Sequence, residues 1–219
     1  MTLQADLYIS FRSPYSYLAA PRYAALAREH DLAIQVRPVW PAALRFPDFF
    51  KKQNPLWVPY LLRDIQRVAA FNGMPIAFPR PDPIVQDLET RAIAPEQPYI
   101  RRITHLGVAA ARRGPEVSLR VFTTVAEALW GEQVEDWHLD ENLAPILSRA
   151  GLSLPELQSE IDADEAGFEA EVAANQQAQI EAGHWGVPCL VFDGEPFFGQ
   201  DRIDLAVWTM KKAGLALRA

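Results

Sequence analysis

The sequence predicts an α/β protein in which a small mixed sheet is built from the two ends of the chain and a long helical stretch lies between them. Three observations carry this. The chain opens with a β-α-β pattern. It closes with two short strands around Asp193-Gly194 and a final helix. Between them, from about residue 97 to 182, apolar residues recur at helical rather than alternating steps.

Residues 3–11 (LQADLYISF) alternate loosely and then become continuously apolar, as a central strand does. Arg12-Ser13-Pro14 breaks the run. Residues 15–30 then show helical spacing through Tyr17, Leu18, Ala20, Ala24, Ala25 and Leu26, with Pro21 expected to kink the helix or break its phase. Residues 32–40 alternate again through Leu32, Ile34 and Val36, and the short crossover predicts parallel pairing with the first strand. Over 41–83 the chain is rich in proline and aromatics, with one helix predicted at 56–72. The close prolines of 74–83 (MPIAFPRPDP) exclude helix and central strand. Helices are predicted over 97–113, 115–130, 141–150, 155–161 and 164–182, punctuated by Gly114-Pro115 and Gly151, with Asp140 as an N-cap. The acidic run 156–171 keeps helical apolar spacing and reads as a solvated face. Residues 187–192 form an apolar strand, Asp193-Gly194 a hairpin turn, and 195–198 the return strand. The last helix, 203–213, places Leu205, Trp208 and Thr209 on one face. Apart from the helical block, this is the element order of a thioredoxin fold. The expected division is a discontinuous thioredoxin-like domain, 1–42 and 183–219, with an inserted helical domain, 43–182.

Composition narrows the function. The 219 residues are 49% hydrophobic and 22% charged, enough for a packed core and incompatible with intrinsic disorder. No apolar run approaches the ~18–20 residues of a membrane-spanning helix. A net charge of −7 is the wrong sign for a nucleic-acid binder. The lone Cys189 cannot form an internal disulfide or a Cys-rich zinc site. With no export signal in residues 1–6, it predicts a reducing, cytoplasmic setting. Within its apolar strand Cys189 reads as a small buried hydrophobe. His30, His105, His138 and His184 show no metal-ligand spacing, so no metal site is expected; His184, just before the Val187-Pro188 turn, is within reach of that turn but reads first as a solvated loop residue.

Three segments are candidates for a site. The first is Ser13-Pro14-Tyr15-Ser16. Its plain reading is an N-cap followed by proline at the first helical position. Its functional reading rests on the helix N-terminus, whose free N–H groups favour an anion such as a thiolate. Thioredoxin-like redox proteins carry Cys-x-x-Cys in this turn. Here both sulfurs are replaced by hydroxyls, which cannot perform disulfide exchange but can donate a hydrogen bond to a thiolate brought by another molecule. The second segment is Gly186-Val187-Pro188. An X-Pro bond is trans by default; in a thioredoxin fold this proline is expected to be cis, which would leave the Val187 backbone free to pair with an extended peptide-like ligand. The third is Phe197-Phe198-Gly199-Gln200-Asp201-Arg202. Asp201 reads as the cap of the last helix and Arg202 as a surface charge; alternatively, the carboxylate and amide bind an amino-acid moiety.

Taken together and in this order, these motifs resemble the 2-hydroxychromene-2-carboxylate isomerase family, which is related to the kappa-class glutathione transferases. Residues 13–19 (SPYSYLA), 60–67 (YLLRDIQR), 74–79 (MPIAFP), 121–130, 186–188 (GVP) and 198–202 (FGQDR) carry the resemblance. It implies a thioredoxin fold of the disulfide-oxidoreductase type with a large helical insertion. It also implies glutathione as cofactor, a small-molecule substrate and a homodimer. Ser13 would contact the glutathione sulfur and Val187, beside Pro188, the cysteinyl backbone. Gln200 and Asp201, with Arg202 next to them, would hold the γ-glutamyl end. Asn54 matches an asparagine near bound substrate, and Arg12, Tyr15 and Tyr60 are further substrate-side candidates. Arg12 stands where the family has an apolar residue and adds positive charge near the thiolate. Lys51 and Lys52 lie near, but out of register with, a basic residue of the kappa class. Trp40, Phe46, Phe49, Phe50, Trp57 and Tyr60 read mainly as core or hinge packing, some of them able to line an aromatic-accepting pocket. The implied activity is glutathione-dependent isomerisation of an unsaturated, aromatic-type carboxylic acid. The alternatives are a kappa-like glutathione transferase or peroxidase and a non-catalytic glutathione- or peptide-binding module.

Overall fold

The structure is a computed structural model and describes residues 2–46, 48, 52–87, 89–90 and 92–218. Phe49, Phe50 and Lys51, singled out above, lie outside the described residues.

Strand β1 (Leu3–Ile9), helix α1 (Pro14–Glu29) and strand β2 (Leu32–Pro38) form the opening unit, and β1 and β2 pair in parallel with Leu3 opposite Leu32 and Ile9 opposite Pro38. Strands β3 (Cys189–Phe192) and β4 (Glu195–Phe198) complete a four-stranded sheet in the order β2-β1-β3-β4. β3 runs antiparallel to both β1 and β4. The hairpin between them turns on Asp193 (φ 51°) and Gly194 (φ 77°), both left-handed as a tight two-residue turn requires.

β1 ends at Ile9 rather than at Phe11, because Phe11 leaves the ladder and turns into the core, where it is 2% exposed. β3 begins at Cys189, since Pro188 has no N–H to give to a neighbouring strand. Pro21 lies on the exposed side of α1, which runs unbroken across it.

After β2 come a four-residue helix α2 (Ala42–Arg45), too short to leave a periodic signal, and α3 (Trp57–Phe71). Residues 74–83 carry no helix or strand. Helices α4 (Pro98–Ala111) and α5 (Pro115–Ala126) follow. α5 continues into a π-helical turn, Glu127–Gly131, where a single helix to residue 130 was expected. α6 (Asp140–Arg149), α7 (Leu154–Ala163) and α8 (Glu165–Glu181) complete the block. A 3-10 turn, Gln200–Arg202, leads into α9 (Ile203–Lys212).

Three local expectations are corrected. Leu139, not Asp140, occupies the N-cap of α6, and Asp140 instead pairs with Arg102 at 2.6 Å. Arg202, not Asp201, stands at the N-cap of α9; the intervening 3-10 turn separates Asp201 from the helix start, and Asp201 pairs with Arg202 at 2.7 Å. The buried face of α9 is Ile203, Ala206 and Met210, a competing set at helical spacing. Leu205 and Trp208 face solvent at 49% and 55% exposure.

The core is continuous from the sheet into the helical block. Leu7, Ile9, Ile34 and Val36 of the sheet share one cluster with Leu18 and Tyr23 of α1, Ile103 and Leu106 of α4, and Phe122 and Val125 of α5. α5 packs on β2 and α1, and α4 and α8 also meet β2. Gly107 permits the close approach of α4: a Cβ there would sit 2.8 Å from the Phe11 ring and 3.0 Å from Pro38. Among the described residues, no helix is long and apolar enough to cross a membrane.

Candidate active site

The sheet brings the first two candidate segments together. Because β1 and β3 are antiparallel neighbours, with Tyr8 opposite Cys189, the turn leaving β1 and the turn entering β3 lie at the same end of the sheet. Ser13 is the N-cap of α1. Its Oγ accepts from Ser16 N–H at 3.1 Å and donates to the Val187 carbonyl at 3.5 Å. The Val187-Pro188 bond is cis. Pro188 in turn reaches the third segment, accepting from Gly199 N–H at 2.9 Å. Ser16, at the second position of the redox frame, is 1% exposed, and its hydroxyl has no hydrogen-bond partner among the described residues.

The chain's own sulfur is elsewhere. Cys189 is fully buried, and burial pushes its thiol up to about 12. It cannot act as a thiolate at neutral pH.

The substrate-side candidates occupy different surroundings. Arg12 makes a bidentate pair with Asp82, at 2.7 and 2.8 Å, so its charge is compensated. Asp82 also accepts from Ile84 N–H at 3.0 Å. Tyr15 donates to one oxygen of Asp64 at 2.5 Å, and Tyr60 to the other at 3.4 Å. Burial first, then Asp64, keeps the Tyr15 phenol well above its usual value; Tyr60 and Asp201 add to the effect. Asn54 is exposed and accepts from Leu56 N–H at 2.9 Å, preceding α3. Gln200 gives its carbonyl to Arg22 at 3.3 Å. Trp40 lines a cavity of about 460 Å³ with Leu44, Pro98, Ile100, Arg101 and Glu169. Lys52 is an exposed partner of Asp48 at 3.5 Å.

Several residues around the site were given no role in it by the sequence. Trp130, buried in the π turn, donates its indole N–H to the Phe11 carbonyl at 2.9 Å and fixes the entry to the Ser13 turn. Tyr17 donates to Pro75 at 2.7 Å and ties the proline loop to α1. Arg45, on the unforeseen α2, donates to the Gln179 side-chain oxygen at 3.2 Å and to the Trp185 carbonyl at 2.8 Å. Its Nε is buried without a partner among the described residues. No carboxylate pairs with it among the described residues, and burial brings its pKa down to about 10. His184 is half-buried rather than solvated. Its Nδ1 accepts from Gly186 N–H at 2.8 Å, its ring stacks on Phe198 at 4.1 Å, and burial lowers its pKa.

His105, Glu165 and Glu169 place donor atoms within 4.8 Å of one another, which spacing alone did not foresee. Arg101 already supplies the cation of this cluster, 3.5 Å from Glu165 and 3.1 Å from Glu169. The arrangement is an ion-pair network between α4 and α8.

A thioredoxin fold with hydroxyls at both sulfur positions and its one thiol buried defines a thioredoxin-like protein that does not use sulfur of its own for disulfide exchange. The chain belongs to the DSBA-like thioredoxin domain family, whose family model matches residues 4–210. Among curated relatives, it is 27% identical over 215 residues to a 2-hydroxychromene-2-carboxylate isomerase of Pseudomonas putida, covering 90% of this chain and 89% of that one. A second protein of that name, from Sphingobium xenophagum, is 26% identical over 208 residues, covering 93% and 96%. A solved 2-hydroxychromene-2-carboxylate isomerase shares the fold with a TM-score of 0.70 at 22% identity, covering 96% of each chain.

Proposed function

We propose that this protein is a glutathione-dependent isomerase of an unsaturated aromatic-type carboxylic acid, of the 2-hydroxychromene-2-carboxylate kind. The observation that carries the reading is the Ser13 hydroxyl at the N-terminus of α1, facing the Val187 carbonyl, in a chain whose own thiol is out of reach. The relatives' shared name supports the substrate class.

The residues fit glutathione. The α1 N-terminus offers positive potential to an anionic sulfur. The Ser13 proton is held only by a 3.5 Å contact, so it can turn to a better acceptor. Val187 offers backbone to an extended tripeptide, and Gln200 and Asp201 offer an amide and a carboxylate to its amino-acid end. The Gly199–Pro188 hydrogen bond fixes that turn against the cis proline. When bound, glutathione supplies a thiolate able to add reversibly to an activated double bond, so that the bond can turn. Ser13 steadies negative charge on sulfur and is not itself the nucleophile.

Arg12 adjoins the Ser13 turn and Arg45 bonds to Trp185 just before the Val187 turn, and their surroundings favour one of them for the substrate carboxylate. Arg12 is already neutralised by Asp82. Among the described residues Arg45 has only neutral acceptors, so its charge is uncompensated there. The carboxylate is therefore assigned to Arg45.

The test is turnover of 2-hydroxychromene-2-carboxylate with and without glutathione, alongside Ser13→Ala. The expected outcome is dependence on glutathione, glutathione recovered unchanged, and a fall in kcat on the order of 10²-fold for the variant, as for other lost charge-stabilising donors. Consumption of glutathione would make the protein a transferase. No thermal stabilisation by millimolar glutathione would defeat both readings.

A further inference from the structure

Gln179 has no part in that reading, yet it is 0% exposed and has both ends of its amide engaged. It lies in the last turn of α8. Its Nε2 donates to the Gly186 carbonyl at 2.6 Å, and its Oε1 accepts from Arg45 Nη1 at 3.2 Å. Its own backbone carbonyl accepts from His184 N–H at 3.2 Å. One residue thus touches the guanidinium and the turn that presents Val187.

The orientation of the amide is forced. The flipped form would set its oxygen against a carbonyl and its NH₂ against a guanidinium, losing both hydrogen bonds. The residue type is equally constrained. A methionine or leucine would leave the Gly186 carbonyl and one Arg45 N–H without partners. An ionised glutamate would repel the Gly186 carbonyl and cancel the Arg45 charge. Only a neutral group that both donates and accepts satisfies both neighbours and leaves the cation uncompensated. The remaining Arg45 contacts are neutral as well: the Trp185 carbonyl and the Phe46 ring, 5.6 Å from the guanidinium carbon.

We infer that Gln179 is a positioning residue for carboxylate recognition: it holds Arg45 in register with the Gly186-Val187 turn while leaving the guanidinium charge free for an incoming anion. This rests on the assignment of the substrate carboxylate to Arg45, and the experiment separates the two.

The probes are benzylidenepyruvate and its methyl ester, an aromatic acid and a neutral counterpart of nearly the same shape. Binding is followed by tryptophan fluorescence in wild type, Arg45→Met, Gln179→Glu and Gln179→Met, with circular dichroism to confirm folding. Wild type is expected to prefer the acid by about tenfold or more, the size of one charge-assisted hydrogen bond of ~1.5–3 kcal/mol. Arg45→Met should erase that preference. Gln179→Glu should erase it too, although Arg45 is still present. Gln179→Met should weaken acid binding several-fold and leave the ester unchanged; it keeps the inference testable if the glutamate variant does not fold. A purely structural role would weaken acid and ester equally. If Arg45→Met removes the preference while both Gln179 variants retain the wild-type ratio, the role of Gln179 is refuted. If Arg45→Met retains the ratio, or wild type shows none, the assignment of Arg45 falls and this inference with it.

Discussion

Replacing Gly107 by alanine should disturb the strand-to-helix turn through its packing, without touching any ligand. In an open helix this change stabilises by about 0.8–1 kcal/mol, because alanine is the better helix former. Here the new Cβ would lie 2.8 and 3.1 Å from two atoms of the Phe11 ring and 3.0 Å from Pro38 Cγ, against an ordinary contact of about 3.5–4 Å. Phe11 has little room to yield. It is 2% exposed, its ring meets Phe122 edge-on at 6.3 Å, and its carbonyl is held by Trp130. Overpacking of this kind costs roughly 1–3 kcal/mol, which set against the propensity gain leaves a net loss of up to about 2 kcal/mol. For a chain of this size that is a fall in Tm of up to roughly 8 °C. Phe11 is two residues before Ser13, so kcat should fall as well. Thermal denaturation by circular dichroism reads the first effect and steady-state kinetics the second. A variant melting at or above wild type would show that the α4–Phe11 contact is not a rigid constraint, and the reasoning would fail.

Trp130→Phe keeps most of the ring but removes the donor to the Phe11 carbonyl, leaving a buried acceptor unpaired; denaturant unfolding should show a loss of about 1–3 kcal/mol. Cys189 should resist alkylation in the native protein at pH 8 and react stoichiometrically in denaturant, because it is fully buried and its thiol is pushed up to about 12; native labelling at the rate of a free thiol would contradict this. Burial lowers the pKa of His105 below its ordinary 6.5; Arg101 lowers it further, against the opposing pull of Glu169 and Glu165. The unfolded chain therefore takes up that proton more readily, and stability should drop as pH falls through and below 6.5. His105→Gln should lose less Tm than wild type between pH 7.5 and 5.5.

What the sequence made legible was local. The Ser13 cap could be read because its hydrogen bond spans three residues, and the β1-α1-β2 unit because its periods are plain. The Asp193-Gly194 hairpin was visible for the same reason. Two faces of α9 were apolar at helical spacing, and choosing between them required knowing that a 3-10 turn precedes the helix and sets its phase. The partners of the site were beyond any window. Arg12 meets Asp82 across 70 residues, Tyr15 meets Asp64 across 49, and Arg45 meets Gln179 across 134. A lone arginine on a four-residue helix carries no pattern. What marks Arg45 is the lack of a carboxylate beside it among the described residues, which only a folded chain reveals.

These long-range pairs explain why a small sheet carries so much helix. The sheet sets Ser13 beside Val187, but it holds neither turn firmly, since both lie outside the strand ladder. Restraint comes from the residues between β2 and β3: Trp130 on the Phe11 carbonyl, Asp82 on Arg12, Asp64 on Tyr15, and Gln179 on the Gly186 carbonyl. A turn that cycles between thiol and disulfide carries its chemistry in its own side chains. A turn bearing two serines must instead present fixed donors to a sulfur and an acid that arrive from outside, and donor placement within about half an ångström governs such sites. On the proposed function the labour divides accordingly. The sheet-borne turns receive the thiol, while Arg45 and Gln179, both from the segment between β2 and β3, select the acid.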